Sequence, residues 1–171
     1  MAAARASFDP LLPAAAHAAP ELEVIIEVPV GSFVKPDLAG RIVFVSPLPC
    51  PYNYGAVPGL LGLEGDLLDA IVLGPRLPFG ARLHVRAWGA LTLRDRGQVD
   101  DKLVCSTTTP NEASLRRVAT FLHAYARFKQ VLNALRGRGG RHGVDGWRSA
   151  SSALARARPV PQDWHGPSVP F

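Results

Sequence analysis

Hydrophobic residues in the first two thirds of the chain fall in short runs that alternate with polar ones or stop at glycine and proline. Leu22 to Pro29 (LEVIIEVP) is apolar and β-branched, carries Glu27 inside it and is closed by Pro29, which predicts a strand. A stretch punctuated by Gly, Ser and Pro follows, and Ile42 to Val45 predicts a second strand, stopped by Pro47 and Pro49. Residues 53–57 are a candidate for a short third one. Leu67 to Leu73, Ala81 to Leu93 and Lys102 to Ser106 complete the set. In the middle one Leu83, Val85 and Ala87 alternate with Arg82, His84 and Arg86, the period of a half-buried strand. Five or six strands ahead of any helix predict a barrel or a sandwich.

The period changes at Asn111. Leu115, Val118, Ala119, Leu122, Tyr125 and Ala126 recur at helical spacing, and a helix to about Leu135 is expected before Gly137, Gly139 and Gly140 end it. Phe121, Leu122 and Phe128 are expected on the stripe that closes the barrel. Ser149 to Ala157 predicts a second, short helix. Residues 1–20 form a loose Ala/Pro-rich arm, and 158–171 a Pro-rich tail that is either without fixed structure or pinned by Trp164 and Phe171. One domain over 21–157 between two loose ends is the expected organisation.

The composition, 47% hydrophobic and 19% charged over 171 residues, is that of an ordinary globular domain. Its 16 Gly and 16 Pro favour turns and short strands over long helices. A net charge of +5 directs attention to an anionic partner: phosphate, nucleic acid or an acidic surface. With Cys50 and Cys105 the only cysteines, a disulfide framework is not expected and a reducing, cytoplasmic compartment is the simpler reading. Arg5, Asp9, Pro10 and Pro13 interrupt the apolar run of a signal peptide. No stretch reaches the roughly 18 apolar residues of a membrane span, so no membrane partner is expected.

Of 14 acidic residues, six lie between Glu64 and Asp101, in two knots: E-G-D-L-L-D, with Glu64, Asp66 and Asp69, and D-R-G-Q-V-D-D-K, with Asp95, Asp100 and Asp101. Carboxylates that converge raise one another's pKa unless a cation neutralises them. A hard divalent ion does so with a few carboxylate oxygens and retained water. The alternative is that the knots are solvated turns, since Asp and Gly are also what turns want. For the metal reading the knots must meet at one point, expected inside one mouth of the barrel.

The R-G-R-G-G-R-H-G run at Arg136 to Gly143 is basic enough to touch nucleic acid, but a solvated loop is the favoured reading and nucleic acid is not an expected partner. His84 and His123 lack a Cys or His at ligand spacing. Trp88 and Trp147 read as packing residues, and the two cysteines as small buried ones.

From about Leu22 to Trp147 the chain resembles the soluble, metal-dependent inorganic pyrophosphatase family. The most specific piece is P-Y-N-Y-G at Pro51 to Gly55, followed nine residues later by E-G-D-L-L-D, similar to the family's N-Y-G and D-G-D-P-x-D. I-I-E-V-P at Ile25 to Pro29, D-x4-D-x-K at Asp95 to Lys102, the helical Tyr125 and G-V-D-G-W at Gly143 to Trp147 follow in the family's order. The resemblance implies a mainly β protein with α: a five-stranded closed barrel of the oligonucleotide-binding type, with one long and one short C-terminal helix packed outside. It implies Mg²⁺-dependent hydrolysis of pyrophosphate to two phosphates, with several ions, Mn²⁺ as a substitute, and a homo-oligomer. Carried over by position, Asp66 is the general base and Asp69 bridges metals beside it. Glu64 and Asp100 complete the activating sites, Asp95 binds a further metal with Asp100, and Glu27 holds an outer metal largely through water. Lys35, Lys102, Tyr54 and Tyr125 face the phosphoryl oxygens, Tyr54 and Lys102 at the reacting group itself.

Departures from the family concentrate on the substrate side. A phosphate-binding Arg is replaced around Ser46 and Pro47, and Arg41 lies too early to substitute. Cys50 stands for a Tyr, Ala126 for a Lys, Arg96 for an acid and Asp37 for a Glu. Glu64 stands for an Asp and is one methylene longer. A lost Arg removes roughly a few kcal/mol of charge-assisted bonding to phosphate, which implies reduced turnover unless Tyr52, Arg96 or Arg127 compensates. Two other readings stay open: a non-catalytic or repurposed relative that binds phosphate-bearing ligands, and a nucleic-acid-binding barrel.

Overall fold

Alternation along the strands decides which way every later residue points. In a computed structural model of the chain, the residues described are 19–36, 41–95, 97–135 and 143–166. Their strands are β1 (Glu21–Val28), β2 (Val34–Pro36), β3 (Ile42–Val45), β4 (Asn53–Leu61), β5 (Leu67–Val72), β6 (Arg82–Asp95), β7 (Gln98–Ser106), β8 (Gly143–Arg148) and β9 (Arg158–Pro159). Helix α1 spans Glu112–Leu135 and α2 spans Ala150–Arg156. Strands pair in the order β1-β4-β5-β7-β6, and β6 returns to β1 from Glu21↔Arg86 to Ile25↔Arg82, closing a five-stranded barrel. The β5–β7 pair is parallel and the other pairs of the barrel are antiparallel. The expected barrel with one long and one short helix is the one observed.

The interior holds Val24, Ile26, Leu68, Ala70, Val72, Val85, Leu103 and Cys105, with Ala150 and Ala153 of α2 packed into the same core. Alternate residues of the same strands, Ile71, Leu91, Leu93 and Val104, form a second core on the outer wall under Leu115, Val118, Leu122 and Ala126 of α1. Burying one such Leu or Ile side chain contributes about 1.5–3 kcal/mol. Phe128 lies off this stripe, 44% exposed, because it falls on the solvent side of the helical period. Asn111 Oδ1 caps α1 by accepting from Ser114 N at 2.8 Å, and Ser149 caps α2 by accepting from Ser152 N at 3.2 Å.

Two residues of the P-Y-N-Y-G run have structural duties. Asn53, fully buried, accepts from Val30 N (3.2 Å) and Leu77 N (2.9 Å) and donates to Pro75 O (2.8 Å), tying β4 to two neighbouring loops. At Gly55 a Cβ would collide with the carbonyl oxygen of Ile25, so only glycine lets β1 and β4 approach this closely.

The structure extends several expected elements. β4 continues to Leu61, and β7 begins at Gln98 rather than Lys102, so Asp100 and Asp101 are strand residues. β8 carries no strand signal in the sequence: its two glycines and Asp145 depress strand propensity, and the edge of β6 overrides that, pairing Leu91 with Trp147. Residues Arg158 and Pro159 pair with Leu61 and Leu60 of β4. Among the described residues no helix is long and apolar enough to cross a membrane. The arm over 1–18, Asp37, Arg96, the run 136–142 and Phe171 lie outside the described residues.

Candidate active site

Parallel pairing of β5 with β7 sets Asp69 opposite Lys102, and on each strand the residues two positions away share its face. Asp69, Asp100, Lys102 and Tyr54 therefore gather on the outer wall of the barrel. Of the two acidic knots, Asp69 and Asp100 come together here, on the outer wall rather than inside a mouth, because Leu68, Ala70 and Leu103 take the interior positions. Lys102 Nζ lies 2.5 Å from Asp69 Oδ2, 3.0 Å from Asp100 Oδ1 and 2.9 Å from Tyr54 Oη. The Tyr54 hydroxyl donates to Asp69.

Beside this group, β1 and β2 supply an ion pair, Lys35 Nζ to Glu27 Oε2 at 3.1 Å. Both cations lie close to the Tyr54 ring: Lys35 is 5.7 Å and Lys102 5.4 Å from its centroid. The third component is the turn between β4 and β5, closed by Gly62 N donating to Asp66 O at 2.8 Å, with Gly65 at φ 91°. Asp66 Oδ1 accepts from Leu67 N at 2.8 Å. Glu64 folds back over Gly62, where a Cβ would strike its carboxylate, and Glu64 Oε2 is buried without a hydrogen-bond partner.

Burial pushes Glu64 up to about 8, helped by Asp100 and Asp69. Burial also raises Asp66, Asp100 and Glu27. Asp69 goes the other way: burial opposes it, but Lys102 and Lys35 hold its carboxyl below the usual range. Lys102 is raised well above an ordinary lysine, since Asp100 and Asp69 outweigh its burial. Desolvated, mutually repelling carboxylates and one orphaned buried oxygen are the chemistry of a hard-cation site, and every donor is an oxygen. Among the described residues no three carboxylates close around a single point. The Lys102 ammonium stands between two of them as an internal counter-ion.

Of the other expected residues, Tyr125 packs on the outer core, 6.2 Å from Phe121 between ring centroids, and interacts electrostatically with Tyr54 and Lys102. The Asp95 side chain lies outside the described residues. Asp101 leaves the acidic knot: it points inward and is held by Thr92 and Arg156. Sequence reasoning missed Gly62, whose signal is a glycine two positions before the acid it must accommodate.

A closed barrel with buried carboxylates and lysines around a tyrosine on its outer wall defines a barrel protein of the oligonucleotide-binding type. The inorganic pyrophosphatase family profile matches residues 24–165, and the chain belongs to this family, whose members are metal-dependent. It is 34% identical over 93 residues to the inorganic pyrophosphatase of Gluconobacter oxydans, covering 50% of this chain and 54% of that protein. To that of Streptomyces coelicolor it is 38% identical over 109 residues, covering 57% and 66%. The matched stretch thus spans about half to two thirds of these relatives. The crystal structure of inorganic pyrophosphatase from Thermus thermophilus superposes with a TM-score of 0.63 at 27% identity, over 80% of this chain and 86% of that one.

Proposed function

We propose that the chain is an inorganic diphosphatase that hydrolyses pyrophosphate to two phosphates with several Mg²⁺ ions, for which Mn²⁺ substitutes. The observation that carries this reading is the Lys102 ammonium bridging Asp69 and Asp100 beside the Tyr54 hydroxyl, amid further buried acids, in a chain of this family. Glu64, Asp69, Asp95, Asp100 and Glu27 are the carboxylates that would hold the ions. When bound, the metal lowers the pKa of a held water and screens phosphoryl oxygens.

The chain's own residues do the rest. Asp66, raised by burial, is a carboxylate moved toward the working pH and takes the proton of the attacking water. Lys102 and Lys35, both held protonated by neighbouring acids, present fixed positive charge to the phosphoryl oxygens, and Tyr54 and Tyr125 present hydroxyl donors. The free thiols Cys50 and Cys105 fit a cytoplasmic setting. Exposed Phe33, Ile42, Val45 and Leu48 fit a homo-oligomer.

A non-catalytic, phosphate-binding relative is favoured by one feature: Ala126, in place of a lysine, is buried in the outer core and presents no cation. Phosphate release from pyrophosphate with and without Mg²⁺, repeated with Asp66→Asn, separates the two. Magnesium-dependent release in the native protein that falls in the variant supports the diphosphatase; equal release in both refutes the assigned base.

A further inference from the structure

Strand β7 presents successive residues to opposite sides of the barrel wall. Asp100 and Lys102 face the outer cluster, and Asp101 between them faces the interior, where it is 4% exposed. Arg156 of α2 donates to it twice, from Nε to Oδ2 at 3.0 Å and from Nη2 to Oδ1 at 2.7 Å. Thr92, its cross-strand partner in β6, donates its hydroxyl to Oδ1 at 2.6 Å. That hydroxyl in turn accepts from Arg148 Nε of β8 at 3.1 Å. One carboxylate thus ties together α2, β6, β7 and, through Thr92, β8.

We propose that the Asp101–Arg156 pair is a positioning device for the site on the other side of the strand. Held from within, the backbone at 101 sets where Asp100 and Lys102 stand without, and the contacts there leave little room for displacement. Lys102 Nζ has partners at 2.5, 2.9 and 3.0 Å, distances that a shift of about an ångström would break. A bidentate guanidinium–carboxylate pair is the interaction best suited to fix a strand in both position and orientation. The inference rests on the reading of Asp100 and Lys102 as site residues.

Arg156→Met alone leaves a buried charge unpaired and is expected to lose stability for that reason. The decisive protein is therefore Asp101→Leu/Arg156→Met, which removes both charges, compared with the native chain and with Arg156→Lys. Three quantities are measured: thermal midpoint, amide hydrogen exchange at 100–102, and Mn²⁺ affinity by calorimetry, with phosphate release as a fourth. The double variant should regain most of the midpoint, yet exchange at 100–102 at least tenfold faster, bind Mn²⁺ about tenfold more weakly and lose kcat with little change in KM. Arg156→Lys should recover part of each. A double variant of native midpoint with native exchange and native Mn²⁺ affinity overturns the inference, as a merely structural pair would behave that way. A native protein that releases no phosphate, while exchange and Mn²⁺ affinity still depend on the pair, sinks the diphosphatase reading and leaves the positioning role standing.

Discussion

Lys102 Nζ sits 2.5 Å from Asp69 Oδ2, across a parallel strand pair, although the two residues are 33 positions apart in the chain. The ammonium is nearly buried, and it neutralises a carboxylate that would otherwise share its pocket with Asp100, Glu64 and Asp66. Lys102→Met should therefore leave paired buried acids uncompensated and cost about 3–5 kcal/mol without divalent cation. Mg²⁺ should raise the thermal midpoint of this variant more than that of the native protein, as read by calorimetry. Equal shifts would mean that lysine and metal do not serve the same charges.

Asp66→Asn removes the assigned base while keeping the side chain's shape and its acceptor for Leu67 N. Proton-transfer catalysis is worth typically 10²–10⁴-fold, so kcat should fall by about that much. Mn²⁺ affinity should change far less than turnover. Calorimetry beside a phosphate-release assay reads both.

Gly62→Ala tests the turn. Its Cβ would occupy the place of the Glu64 carboxylate, which can swing away because it is the end of a flexible side chain. Stability should change by about 1 kcal/mol or less, while divalent-ion affinity drops several-fold as Glu64 is turned out. Native affinity in a folded Gly62→Ala protein would exclude Glu64 from the site.

Burial pushes the Cys105 thiol from 9.0 to about 12. A group raised in the folded state contributes stability that is full below its unfolded pKa and is lost as pH climbs through the folded one, here between pH 9.0 and about 12. The loss approaches about 1.4 kcal/mol per pH unit above the unfolded pKa. Cys105→Ala lacks this component, so the stability gap between the native protein and the variant in urea should narrow from pH 8.5 to 10.5. At pH 8 the native Cys105 should resist a thiol reagent until the protein is unfolded.

Much of the barrel was legible because its signals are local. Leu22–Pro29, Leu67–Leu73 and the helix from Asn111 each announce themselves by period and by a stop at Pro or Gly, and neighbours in the chain suffice to set them. Acid-rich D-D-K gave no such signal: a polar triplet has no hydrophobic phase, so the strand start at Gln98 and the faces of its residues were hidden. For Gly143–Arg148 the pairing edge came from β6, about fifty residues away in the chain.

Residue identity alone determined which chemistry was present: a set of carboxylates, two lysines and a tyrosine in the order of one family. Which carboxylates meet was decided by strand parity and by the β5–β7 pairing, both properties of the closed sheet. Asp100 and Asp101 are adjacent and chemically alike, yet one joins the outer cluster and the other anchors α2 from inside. Successive side chains of a strand leave on opposite sides, and only the closed barrel says which side is which.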